Sequence, residues 1–359
     1  MTRIAVERTP DASRGARLLR IAAPVLVLGL VSPAASEPAP LLDGPYILDA
    51  EVSFHRALLH WIDSLTGVAG PGMTAGKTWN AHREEYSTRL GPPGADDVRW
   101  LERYLHARGA DVAGSEGDQL RLTGAFYEAP DLDTAIERAG ALLAAGHRTD
   151  FTGAVRHFAA KYETVWNDGA EAARFLGRVR EDRGRMRRLS RFLAGVAKFY
   201  GVDAKRNPAT LVLAPVQHGH GTHAQAIGRF LLVEVRPGEG LRDQVAPIVH
   251  ENAHFLYLLR PASRRTEMAA IADASGEHGP TAWALLQEAL PTAIAQGVAD
   301  SRLGAPGWSM RRPWYDVEQV DAYAKRIYPI VRRALERGTE LDRKLLAELL
   351  AAYEPISGS

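Results

Sequence analysis

Apolar residues recur at three- and four-residue intervals through most of the chain, the period of helices that bury one stripe. Between Tyr46 and about Tyr200 the spacing is mostly helical. Leu48, Val52, Phe54, Leu58, Leu59, Ile62 and Leu65 form one series, and Val98, Leu101, Tyr104 and Leu105 another. Asp131, Asp133 and Thr134 are placed to cap a helix running to Ala145 and stopped by Gly146. From Glu171 to Tyr200 one long stripe includes Phe175, Leu176, Val179, Leu189, Leu193 and Val196, which leaves the many arginines of that stretch to a solvated face.

The period changes near residue 209. Thr210 to Val216 and Arg229 to Arg236 are short apolar and β-branched runs bounded by Gly, Pro and Asn, the signature of strands. After Pro237-Gly-Glu-Gly240 the helical period returns and continues to the C-terminus. Helices, then strands, then helices predict an α+β fold that is predominantly helical. Its regions are a mostly helical one over 37–205 and a second over 206–359.

The first 36 residues stand apart. Arg3, Arg8, Arg14, Arg17 and Arg20 precede the apolar run Ile21 to Val31, and Ser32-Pro33-Ala34-Ala35-Ser36 follows. This order of basic, apolar and small residues is that of a secretory signal peptide cleaved near Ser36. The apolar run is far shorter than the ~20 residues a membrane span needs. The expectation is an exported protein, periplasmic or secreted, without stable membrane insertion after cleavage.

Composition narrows the chemistry. The chain has 359 residues, 46% apolar and 24% charged, enough for a sizeable core. It has no cysteine, which excludes disulfide scaffolds, thiolate zinc sites, iron–sulfur clusters and a cysteine nucleophile. Any metal must be held by His, Asp or Glu. With 44 basic against 43 acidic residues there is no overall basic excess to argue for a nucleic-acid partner.

One motif carries chemistry. His250-Glu251-Asn252-Ala253-His254 fits H-E-x-x-H within an apolar helix expected over 243–259. Positions i and i+4 share a helix face, so His250 and His254 can reach one metal ion, while Glu251 lies about 100° round and can act as a base beside it. Two histidines and a glutamate on an apolar helix are costly to bury unpartnered, and a metal supplies the partner.

On these residues the chain resembles the zincin metallopeptidases over roughly residues 186 to 330, in particular a secreted bacterial branch of gluzincin type. Phe230 to Val235 looks like the edge strand against which zincins lay an extended peptide. Phe255-Leu-Tyr-Leu-Leu-Arg260, following the motif, does not continue as a metzincin would. Gluzincins instead take a third ligand from a later helix. Here the resemblance implies Glu288, on a helix expected over 280–300, with Glu267, Glu277 and His278 as alternatives. Ala289, Ala293 and Gly297 offer that helix a small-residue stripe for packing on the motif helix, and Pro291 should kink or start it. Thr292 stands where some gluzincins have an acidic residue that orients a ligand histidine.

The resemblance further implies Zn²⁺ as cofactor, Glu251 as general base and a tyrosine donor from the C-terminal part, Tyr328 first and Tyr323 second. It implies hydrolysis of a peptide or protein substrate. The alternative is a non-catalytic module of the same fold that binds a partner or envelope component. His218, His220 and His223 imitate a subtilisin histidine box without its partner boxes. They read as a surface loop, with a second metal site or a place along the zinc cleft as alternatives.

Overall fold

Among the described residues five short strands form one mixed sheet in the order β1-β2-β3-β5-β4. They are β1 (Ala39–Asp43), β2 (Ile47–Glu51), β3 (Ala209–Pro215), β4 (Ala224–Ile227) and β5 (Phe230–Val235). β2, β3 and β5 run parallel, and β1 and β4 are antiparallel at the two ends. The computed structural model describes residues 39–66, 77–112, 116–203, 205–217, 223–304 and 307–355. The leader read over 1–36, and with it His218 and His220, lie outside the described residues.

Among the described residues eight α-helices separate β2 from β3: α1 (Phe54–Thr66), α2 (Lys77–Leu90), α3 (Ala95–Val112), α4 (Glu116–Tyr127), α5 (Leu132–Ala141), α6 (Ala145–Trp166), α7 (Ala170–Glu181) and α8 (Arg183–Phe199). After β5 come α9 (Leu241–Leu258), α10 (Ala262–Asp273), α11 (Gly279–Thr292), a π-helical segment (Ala293–Ala299), α12 (Asp300–Leu303), α13 (Glu318–Arg337) and α14 (Arg343–Ala351). The chain is therefore mostly helical with a small mixed sheet.

Side chains alternate across the strands and build a core on each face. Leu211, Leu213, Leu231, Val233 and Val235 join α7 to α9, α11 and α13, whereas Val212, Ala214, Phe230 and Leu232 join α1 and α3 to α6. The regions divided near residue 205 by sequence share this sheet, because β2 pairs with β3 from Leu48↔Ala209 to Glu51↔Val212.

Four expectations change. Leu48 begins no helical series, because Leu48 and Ala50 are buried on a strand while Asp49 and Ile47 are half-buried. Its pairing partner lies some 160 residues away, a non-local contact that periodicity in a short window cannot register. Phe230 to Val235 is an interior strand, hydrogen-bonded to β3 on one side and β4 on the other, and all six residues are buried. The end strand on that side of the sheet is β4. The Glu171–Tyr200 stripe is two helices, broken at Asp182, whose carboxylate caps α8 by accepting from Arg185 N at 3.0 Å. Similarly, Asp131 does cap α5 through Thr134 N, but that helix ends at Ala141 and Gly146 falls in the first turn of α6.

A buried ion pair ties the sheet to the N-terminal helices. Arg56 on α1 pairs with Glu51 on β2, donates to Tyr127 O at 2.7 Å and Ala129 O at 3.1 Å, and lies over the Phe230 ring. Both residues are buried. Glu51→Ala would leave the guanidinium without its counter-charge, so it should lower unfolding stability by about 3–5 kcal/mol. A shift in the urea midpoint at unchanged slope checks this.

Candidate metal centre

α9 starts cleanly at Gly240, whose amide donates to Asp243 Oδ2 at 3.0 Å, and buries Val245, Ile248, Val249, Ala253 and Leu256. Asn252, inside the motif, is fully buried and accepts a hydrogen bond from Tyr46, just before β2, at 2.9 Å. Tyr46 N in turn donates to Ser190 Oγ on α8 at 3.1 Å. These bonds fix the rotation of α9 about its axis, and with it the direction in which the histidines point.

His250 and His254 lie one turn apart with ring centroids at 4.9 Å, and their Nε2 atoms are 3.1 Å apart. Glu288 on α11 brings Oε2 to 3.2 Å from His250 Nε2 and 3.5 Å from His254 Nε2. Among the described residues this is the group of three ligating side chains that converges. The other candidates for third ligand lie elsewhere: Glu267 pairs with Arg264 and Arg343, while Glu277 and His278 are exposed.

The triangle of donors fits a tetrahedral zinc ion. Ligands about 2.1 Å from zinc at tetrahedral angles stand about 3.4 Å apart, close to the observed edges of 3.1, 3.2 and 3.5 Å. Two Nε2 atoms that face each other also need a cation or a proton between them, since two lone pairs or two N–H groups would repel. The electrostatics agree. Burial would raise the Glu288 carboxyl, but the hydrogen bonds from His250 and His254 outweigh it and hold it well below the usual carboxylate range. Burial would lower His254, yet the Glu288 hydrogen bond and the charges of Glu251 and Glu288 raise it above its ordinary value. The cluster thus favours positive charge at its centre.

Glu251 is buried on the same helix, and its charge is felt at both His254 and Tyr315. It stays outside the converging triad. Pro291 sits within α11, which it deprives of one amide donor, and the chain beyond widens into the π-helical segment, a departure helices often make near functional sites. Thr292 is fully buried, but its hydroxyl has no hydrogen-bond partner, and neither has His250 Nδ1. No direct bond from Thr292 therefore orients His250. Gly297 packs against α13 rather than the motif helix: a Cβ there would stand 2.7 Å from the Tyr328 ring.

The tyrosine at the centre is Tyr315. Its hydroxyl donates to Glu288 Oε2 at 3.0 Å and its ring stacks on His250, 16° from parallel with centroids 6.1 Å apart. Burial first, then the Glu288 charge, pushes its hydroxyl well above the ordinary phenol value, so it remains a donor. Tyr328 lies instead edge-on to Trp314 at 5.5 Å and beside Trp308, and Tyr323 donates to Leu349 O. Asp321, in the first turn of α13, accepts from Trp314 N and Tyr315 N and holds the loop that carries the ring.

His223 is engaged away from this centre. His223 stacks on His60 of α1 at 5.0 Å, His60 Nε2 lies 2.9 Å from Glu234 Oε1, and Glu234 projects from the face of β5 opposite Val233 and Val235.

Among the described residues no helix is long and apolar enough to cross a membrane. The chain matches no protein-family model, no curated protein and no solved structure.

Proposed function

We propose that the chain is a zinc-dependent peptidase of gluzincin type, exported through its N-terminal leader. The observation that carries this reading is the donor triangle of His250 Nε2, His254 Nε2 and Glu288 Oε2, closed to within 3.5 Å on every edge beside an intact Glu251. Zinc held there supplies a Lewis acid for the scissile carbonyl and lowers the pKa of water to about 7.

The chain's own groups do the rest. Glu251 takes the proton from the attacking water and returns it to the leaving amine. Tyr315, whose single hydroxyl proton goes to Glu288 in the resting site, turns it to the developing oxyanion as donor, the part the resemblance assigns to Tyr328. β4, the end strand antiparallel to β5, is the natural place for an extended substrate to add backbone hydrogen bonds. A non-catalytic binding module has no use for a base at Glu251, which favours the enzyme.

Purified full-length chain should contain one zinc ion, by elemental analysis, and cleave members of a mixed peptide library. Absence of stoichiometric zinc would sink the reading, and zinc without cleavage would favour the binding module. Tyr315→Phe should retain zinc and lose about 10²-fold in kcat, the usual effect of removing an oxyanion donor. Tyr328→Phe should stay within a few-fold of wild type, and a reversal of the two results would return the role to Tyr328.

A further inference from the structure

Where α7 meets α8 the surface carries a concentration of positive charge. From Arg180 to Lys198 there are seven basic residues and two acidic ones, in a protein whose net charge is +1. Of the two acids, Asp182 is engaged in capping α8 and pairing with Arg185. Arg183, Arg187 and Arg191 follow one another at i, i+4 and i+8 on α8, and all three are exposed. Lys198 continues the stripe, and Arg180 and Arg188, also exposed, flank it. None of these arginines forms an ion pair with a described residue.

The contrast with the rest of the surface is informative. Arg156 pairs with Asp133, Arg229 with Glu128, Arg302 and Arg332 with Glu336, and Arg333 with Glu348. Like charges one turn apart oppose helix formation. α8 tolerates them because its opposite face, Leu189, Leu193, Val196 and Ala197, is locked in the core. At 1.5 Å per residue the stripe from Arg183 to Lys198 is a straight ridge about 22 Å long.

Guanidinium groups match phosphate oxygens in forked geometry. The ridge has no exposed aromatic side chain on which bases could stack, since Phe192 packs partly buried against the core. A straight helix in one plane presents its cations together to a flat surface. We propose that this ridge docks the protein on a membrane leaflet rich in anionic phospholipid, through the headgroup phosphates. Large apolar side chains are not exposed along it, so the attachment is electrostatic and peripheral.

Co-sedimentation of the full chain with phosphatidylcholine vesicles, alone or with about one-third phosphatidylglycerol, tests this. The phosphatidylcholine arm controls for insertion by the apolar run at 21–31. Binding should require the anionic lipid and disappear near 0.5 M salt, where screening acts within a few Å. Each arginine near an anionic leaflet strengthens partitioning about fivefold, so Arg183→Gln/Arg187→Gln/Arg191→Gln should weaken binding about 100-fold. Glutamine keeps helix propensity, and an unchanged thermal midpoint verifies the fold. Arg156→Gln/Arg229→Gln/Arg333→Gln removes equal charge from paired positions and should stay within about fivefold. Equal binding to both vesicle types, no vesicle binding, or equal losses in the two triple variants would overturn the proposal. Retention of duplex DNA or heparin without vesicle binding would make the ligand a soluble polyanion and overturn it too.

Discussion

Glu251→Gln should leave one zinc ion per chain and lower kcat/KM for peptide hydrolysis by about 10³-fold or more. Glutamine keeps the volume and the hydrogen-bonding length of the side chain, so the packing of a buried residue on α9 is preserved. What it loses is the capacity to take a proton, and general base catalysis is worth about 10²–10⁴-fold. Metal retention follows from the geometry: the donor triangle closes through His250, His254 and Glu288 without Glu251. The measurement is zinc content beside steady-state kinetics on one cleaved peptide. Activity within tenfold of wild type would exclude Glu251 as the base, and loss of zinc would make it part of the metal's support.

The parts legible in the sequence were those in which a local spacing sets a local geometry. His250 and His254 face the same way because a helix repeats every 3.6 residues, and an apolar context already marks that helix as buried. Glu288 came into view through the resemblance to gluzincins, with Glu267, Glu277 and His278 as alternatives, and its apolar neighbours marked it as a carboxylate in need of a counter-charge. Tyr315 was not legible, because a ring that reaches Glu288 from a loop belongs to no periodic pattern, whereas Tyr323 and Tyr328 stand on the amphipathic helix α13 that follows. The position of Phe230 to Val235 inside the sheet was hidden as well. Its apolar run says that both faces are covered, but its place inside the sheet depends on β4, a strand of four residues that is too short to stand out as a strand in the sequence.

Glu288→Ala should weaken zinc binding by more than about 100-fold, beyond the 10–100-fold typical of losing an outer partner. Glu288 contributes one of three donor atoms, and it is also the group that Tyr315 steadies and whose charge raises His254. With it gone, two imidazoles remain to hold the ion, and the carboxylate that offsets the positive charge at the centre is absent. The fold should tolerate the change, since alanine is a strong helix former and Glu288 is partly exposed at 26% of its side-chain surface. Glu288→Gln, which keeps the shape and a carbonyl oxygen but not the charge, separates the two contributions. If charge dominates, it should behave like alanine; if position dominates, it should recover much of the affinity. Zinc titration against a chelator, on chains whose circular dichroism matches wild type, gives the numbers. Full affinity in both variants would mean that the third ligand is another residue, and Glu267→Ala and Glu277→Ala would then be the variants to compare.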